Sequence, residues 1–591
     1  MSSAPKFAIG IDLGTTNCTL ASTSLDDRIA RPTPLDVPQV SAPGEVSRQP
    51  LLPSFLYRPA QVEFPEGAMA LPWNAEATDA VGSFARRHGA ATPVRLVSSA
   101  KSWLSHAGVD RRADILPWGA PDEVDKLSPV EASARYLAHL RASWDAAHPD
   151  EPLADQSVVL TVPASFDAVA RELTVEAAAR AGLSETPRLL EEPQAAMYAW
   201  LAGRGNKWRD ELSVGDVVLV IDIGGGTTDF SLISVTDREG DVELERIAVG
   251  DHILLGGDNI DLALAHTVRA ELKSSGTELD DWQMRALTHG CREGKEALLG
   301  DAPAASYPLV VPGRGSQLIG GSIRAELSRH VLEQVVLDGF FPRVAADAVP
   351  TKPRRLGLQS VGLPFAHDAG ITRHLAAFLG RVTDAEGAPI RPTAILFNGG
   401  VTRSTMLRDR IHAVVGSWSK SAGGAAPRLL SGADADLAVG RGAAYYAHAR
   451  AHGGLRIRSG TAMAYYIGLE RAELAVPGIE PAVDAVCVAP FGMEEGSDVA
   501  LDDVFGLVLG EPVAFRFFGS PSRPDDNVGS VVDPEGLTEL PPIEIILDGD
   551  AGSVVHVQLH ASVTEVGMLE LAAVEQGGER RWKLSFSVRL E

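Results

Sequence analysis

One stretch of this chain is written twice. Residues 7–20 read FAIGIDLGTTNCTL and residues 217–232 read VVLVIDIGGGTTDFSL. Each copy is an apolar run of the kind that fills a buried strand, then an aspartate, glycine, two threonines and a second strand. Asp12 and Asp222 hold the matching position about 210 residues apart. A repeat at that distance predicts two duplicated lobes rather than a short-period solenoid, with the two hairpins facing each other across a cleft. Glycine at each tip (Gly14; Gly224, Gly225 and Gly226) lets backbone N–H groups approach anionic oxygens. Thr15, Thr16, Thr227 and Thr228 add hydroxyl donors, and an aspartate closing each strand suits the hydrated shell of Mg2+. Two tips gripping one polyphosphate would explain why the device occurs twice; a single Gly-rich turn is equally compatible with an ordinary tight turn.

Elsewhere strand and helix signals alternate. SVVLTV at 157–162 is a strand ending at Pro163, and 167–181 has helical spacing that closes at Gly182. Residues 189–201 read as a helix with Pro193 in its first turn, where proline is tolerated. Residues 281–299, 325–337, 407–415 and 437–450 also read as helices, and 392–398 as a strand running into Gly399-Gly400. Alternation of this kind predicts an α/β fold. Beyond GGLRIRSG at 453–460 strand signals dominate: Val555, Val557 and Leu559 alternate with polar residues, as do Trp582, Leu584, Phe586, Val588 and Leu590. The expected division is a first lobe over 1–210, a second over 211–452 whose last helix returns to the first, a linker over 453–461 and a β-rich domain over 462–591. Residues 350–367 read as an irregular insertion without an assigned function.

A chain of 591 residues is too long for one core. Its net charge of −25 lacks the basic stripes that nucleic acid or an anionic membrane requires. No signal-peptide pattern opens the chain and no apolar run approaches the ~18 residues of a membrane span. Cys18, Cys291 and Cys487 are scattered and suggest neither a disulfide framework nor a zinc site. A reduced, cytoplasmic protein is expected.

The motifs resemble those of the seventy-kilodalton heat-shock chaperone family (DnaK type), within the wider actin and sugar-kinase superfold. IGIDLGTTN at 9–17 and IDIGGGTTDFS at 221–231 are similar to its two phosphate motifs, VVLTVPASFD at 158–167 to its connecting strand, and LLEEPQAA at 189–196 to the next motif. NGGVTRS at 398–404 and ADLAVGRGAA at 435–444 resemble its adenosine motif and the helix after it. The resemblance implies an α/β, two-lobed actin-like ATPase domain with duplicated ribonuclease-H-like lobes, followed by a β-rich, sandwich-like C-terminal domain without a helical lid. It implies ATP or ADP with Mg2+ as cofactors. Asp12, Asp222 and Glu192 would organise the ion, largely through waters, and Asp229 would sit near the attacking water and help bind a monovalent cation such as K+. Asn17 closes the first motif, Thr15 and Thr227 would contact phosphate, and Lys101 in SSAKSWLS would place its ammonium beside the γ-phosphoryl group. That inventory suffices for phosphoryl transfer, which needs mainly positioning and electrostatics. Lys295, Gly399, Gly400 and Arg403 would hold the nucleoside, with the Arg403 guanidinium on the adenine face. Pro163 and Arg171 match positions that relay nucleotide state between domains.

Other readings stay open. Glu192 also suits a helix N-terminus, Lys101 a solvated face and Asp229 a turn, while Asp436 suits either the nucleotide or a helix cap. The chain departs from the family pattern at Arg292, where an acidic residue is usual, at Ser165 and Asp167, where an aromatic and an amide are usual, and in its Gly-rich, basic linker with Arg456 and Arg458. The leading expectation is a slow ATPase whose nucleotide state controls binding of an unfolded or extended polypeptide, served by co-chaperones and an exchange factor. The alternatives are a nucleotide-gated scaffold that hardly hydrolyses and holds one dedicated protein partner, and a sugar kinase of the same superfold.

Overall fold

The structure, a computed structural model, describes residues 4–90, 92–106, 108–183, 187–238, 241–300, 304–313, 322–352, 362–363, 365–383, 389–432, 434–458, 461, 463–471, 482–494, 496–520, 523, 526–563, 568–578 and 580–589. Most of the 350–367 insertion, the end of the linker and Leu590 lie outside these residues. The chain forms two compact units. One comprises residues 1–166, 172–242 and 249–456; the other comprises 167–171, 243–248 and 457–591.

The repeat is one of topology as well as of letters. In the first lobe β1 (Phe7–Leu13) pairs antiparallel with β2 (Asn17–Ser24) and parallel with β3 (Ser157–Val162), which pairs parallel with β4 (Arg188–Glu191). In the second, β5 (Val217–Ile223) pairs antiparallel with β6 (Thr228–Arg238) and parallel with β7 (Ala394–Asn398), which pairs parallel with β8 (Arg428–Leu430). The central strands are buried on both faces, as their continuous apolar runs require.

Two elements differ from expectation. Residues 188–191 extend β4, and the helix α1 (Glu192–Arg204) begins only at Glu192. Sheet pairing with β3 overrides the helical spacing of Leu189 and Leu190. Within 325–337 a strand, Ile323–Ser328, pairs with Ser306–Val311 before a short helix, Arg329–Glu333. The Ser328 side chain accepts a hydrogen bond from the Val331 N–H and so starts that helix.

The helix α2 (Ala438–His452) lies directly on β1. A Cβ at Gly10 would stand 2.2 Å from the Gly440 carbonyl oxygen, and one at Gly442 would stand 1.7 Å from that of Ala195 in α1. Glycine at these close approaches is therefore obligatory.

The second unit is a β-sandwich. Its five-stranded sheet runs Val531–Val532, Val483–Ala489, Ala464–Glu470, Pro512–Ser520, Thr538–Ile546; its four-stranded sheet runs Asp498–Leu509, Ser553–Val563, Met568–Glu575, Arg581–Arg589. Tyr465, Ile467, Val486 and Phe517 from one sheet share a core with Leu507, Val557, Leu559, Leu571 and Trp582 from the other. The inward set follows the period-two pattern read from Val557 and Leu559. From Ile457 onward the described residues form strands and no helix. The linker's Arg458 belongs to this unit: Ile457 and Arg458 pair in parallel with Leu244 and Glu245, and the guanidinium bonds Glu243 at 3.0 Å and Glu494 at 2.6 Å. This linker arginine is thus matched by two acids.

Candidate functional site

The two hairpins meet tip to tip. A Cβ built on Gly225 would lie 1.9 Å from the Thr16 hydroxyl, and one on Gly226 would lie 2.8 Å from the Thr15 methyl. The carbonyl side of each tip is committed to protein donors. Ser54 donates from its N–H to the Thr16 carbonyl and from its hydroxyl to that of Gly14, at 2.9 and 2.6 Å. The first amides of the helix Gly257–Ser274 donate to Gly224 and Gly225, at 3.0 and 2.8 Å. A cleft of about 990 Å³ opens between the tips, lined by Asp12, Gly14, Thr15, Thr16, Asn17, Lys101, Glu192, Asp222, Gly224, Gly225, Thr227, Lys295, Gly399, Gly400 and Arg403. Gly226, Thr228 and Asp229 do not line it. Thr228 is fully buried and gives its hydroxyl proton to the Leu255 carbonyl at 2.7 Å, so it is a structural residue of the second hairpin.

Both repeat aspartates are steadied in the same way. Asp12 stands opposite Thr161 in the β1–β3 register and accepts its hydroxyl at 3.1 Å. Asp222 stands opposite Asn398 in the β5–β7 register and accepts its amide at 2.6 Å. Thr161 and Asn398 are thus equivalent partners, and the sequence reading passed over Thr161. Aligning the neighbouring strands as a second layer of the repeat would have found it.

Lys101 is buried and pairs with Glu192, the first residue of α1. Neither the solvated-face reading of this lysine nor a merely cap-like Glu192 describes that pair. Burial opposes the ammonium charge, yet Glu192, Asp12 and Asp222 outweigh it and hold Lys101 above the usual lysine range. One ammonium does not offset this many acids. Burial, with added repulsion from Glu192, pushes Asp12 up to about 7 despite Lys101. Burial and then Glu192 push Asp222 up to about 8. Glu192 is also raised, by burial and by Asp229, against the pull of Lys101. Asp229 is the cross-strand partner of Asp222 within the sheet rather than a turn residue.

These residues fit a hydrated Mg2+ with a polyphosphate. The raised carboxyls mark negative charge in want of a cation. Asn398 lines the cleft, and its buried Oδ1 has no protein hydrogen-bond partner.

Among the residues expected to hold a nucleoside, Lys295 donates to the Gly257 carbonyl at 3.0 Å and lies 2.7 Å from Asp261. The departure at Arg292 has a local reason: its guanidinium pairs with Asp258 and, at 2.8 Å, with the fully buried Asp261. Arg403 is largely exposed at the cleft and bonds Asp436 at 3.0 Å. Asp436 therefore faces the arginine and does not cap α2, whose N-cap position is Leu437. Ser165, in place of an aromatic, donates to Asp229. Pro163 is buried at the end of β3, and Arg171 lies on the helix Ala168–Arg180. Cys18 is a buried thiol pushed up to about 12 by burial, 3.2 Å from the Ser54 hydroxyl, as a small core residue would be.

Comparison with known proteins agrees with this geometry. The family model described as Hsp70 protein matches residues 75–345. A "Chaperone protein HscA homolog" of Bordetella pertussis is 31% identical over 455 residues, covering 75% of this chain and 58% of the relative. Relatives of the same name from Pseudomonas fluorescens and Burkholderia lata are 32% identical over 343 residues and 31% identical over 383 residues. These matches cover 56% and 62% of this chain, and 46% and 54% of the relatives. The chain spans about half the length of the curated relatives it matches. Among the described residues no helix is long and apolar enough to cross a membrane. In its duplicated hairpins, its sheet topology and these matches, the chain is similar to the Hsp70 family.

Proposed function

We propose that this chain binds ATP with Mg2+ between the two hairpin tips, hydrolyses it slowly, and uses nucleotide state to control the hold of its β-sandwich on an unfolded or extended polypeptide. The observation that carries the reading is the approach of Gly225 to Thr16 beside half-buried Asp12 and buried Asp222, both with raised carboxyls. Mg2+ would supply charge neutralisation of the polyphosphate and would be held, through waters, by Asp12, Asp222 and Glu192. In this reading the tip amides and Thr15, Thr16 and Thr227 orient the phosphate chain. Lys101 sets a positive charge beside the bond that breaks, and Asp229 orients the attacking water. Such groups act by preorganisation, since they are fixed before charge develops. Lys295, Gly399, Gly400 and Arg403 flank the nucleoside, and a monovalent cation near Asp229 is part of the same proposal. Residues 1–210 and 211–452 act as the two closing lobes, with Pro163 and Arg171 as the relay to the sandwich and co-chaperones and an exchange factor acting from outside. A cytoplasmic setting suits the three unpaired, buried cysteines.

The test is steady-state ATP hydrolysis by the full chain with and without a reduced, unfolded polypeptide. Stimulated turnover is expected. Tight ATP binding with flat, near-zero turnover under both conditions would favour the scaffold that holds one dedicated partner.

A further inference from the structure

A histidine outside every motif used above joins the two charged groups assigned to hydrolysis. His252 lies in the loop before the helix Gly257–Ser274, within the first unit. Its Nδ1 is 2.6 Å from the Ser165 hydroxyl oxygen, and its Nε2 is 3.1 Å from that of Ser105. Ser165 donates to Asp229, and both are buried. Ser105 follows the short helix Ala100–Leu104, which carries Lys101, and donates to the Ser102 carbonyl at 2.9 Å. Phe166 meets the imidazole edge-on with centroids 5.9 Å apart, closing an apolar side over the ring.

The imidazole ties together two hydroxyls that each serve a charged group of the hydrolytic site. Ser165 also bonds Asp229, and Ser105 also bonds the Ser102 carbonyl on the turn that carries Lys101. We propose that His252 is a positioning residue for the hydrolytic step. Bonded to both hydroxyls, it holds Ser165 against Asp229, and it holds Ser105 so that the Lys101 helix stays in register with that carboxylate. Ser165 thereby acquires a purpose that the usual aromatic at its position does not have. The proposal rests on the ATPase reading above.

The test uses the full chain under single-turnover conditions with Mg-ATP. Ser165→Ala and His252→Ala are each expected to slow hydrolysis roughly tenfold, the worth of one hydrogen bond to a charged group, while the dissociation constant for ATP stays within about twofold. The double variant should be no slower than the slower single, because the two residues act through one chain. His252→Asn, whose amide can replace one of the ring's two hydrogen bonds, should recover part of the loss and covers the case in which His252→Ala misfolds. Multiplicative losses in the double variant, wild-type rates in the singles, or a loss confined to ATP binding would each overturn the proposal. A wild type that binds ATP without hydrolysing it would instead refute the ATPase reading, and the catalytic role of His252 with it.

Discussion

Asp222 carries a cost that a neutral substitute should remove. In the ligand-free chain burial and then Glu192 push its carboxyl up to about 8, from 3.8. The folded protein therefore holds this proton more tightly than the unfolded chain. The resulting stability is fully present below the unfolded value near 3.8 and is lost as pH rises through about 8. The loss runs at about 1.4 kcal/mol per pH unit, so the whole window corresponds to about 6 kcal/mol. Relaxation of neighbours and entry of water lower the effective cost, and Asp222→Asn is expected to recover about 2 kcal/mol at pH 8.5. The substitute keeps an oxygen to accept the Asn398 amide, so packing is conserved. The assay is thermal unfolding of nucleotide-free protein in EDTA between pH 6 and pH 8.5. The variant should melt a few degrees higher at the alkaline end, with the gap widening as pH rises, and should lose the stabilisation that Mg-ATP gives the wild type. A variant less stable at every pH, or a gap that ignores pH, would refute the reasoning.

Three further outcomes follow from the same geometry. Lys101→Ala should lower single-turnover hydrolysis by roughly 10²–10³-fold, as loss of one preorganised electrostatic group does, while ATP still binds; an unchanged rate would remove the lysine from the mechanism. Because Asp12 and Asp222 sit at about 7 and about 8 without ligand, Mg2+-dependent ATP binding should release protons at pH 7 and tighten as pH rises towards 8. Calorimetry in buffers of different ionisation heat measures the release, and a value of zero would contradict the raised carboxyls. Gly442→Ala puts a methyl 1.7 Å from the Ala195 carbonyl oxygen and should cost about 2–3 kcal/mol by overpacking. Gly203→Ala on α1, which meets nothing within 4 Å, should stabilise by roughly 0.5–1 kcal/mol through helix propensity; similar melting shifts for the two would be wrong for this helix packing.

The hairpins were legible because their chemistry is local: glycine, threonine and aspartate within a few residues announce a backbone turned towards an anion. Their face-to-face placement was inferred from duplication alone. What escaped the sequence is carried by register and by distant contacts. Thr161 matters because it stands opposite Asp12 on a parallel strand. Thr228 looks like a phosphate ligand until its hydroxyl is seen to be spent on Leu255. Arg292 looks like a departure from the expected pattern, whereas the structure pairs it with Asp258 and Asp261. Residues 325–328 read as helix because the pairing of 323–328 with 306–311 that makes them a strand is invisible in a local window. In the sandwich the alternation around Val557 and Leu559 was plain, but the order of strands was not, since period two says which face is inward and nothing about which strand is next.

The close seat of α2 on β1 has a bearing on synthesis. The first strand of the chain emerges about 430 residues before the helix that covers it. At roughly 5–20 residues per second that interval lasts tens of seconds. Throughout it the face of β1 on which α2 will settle waits without that helix.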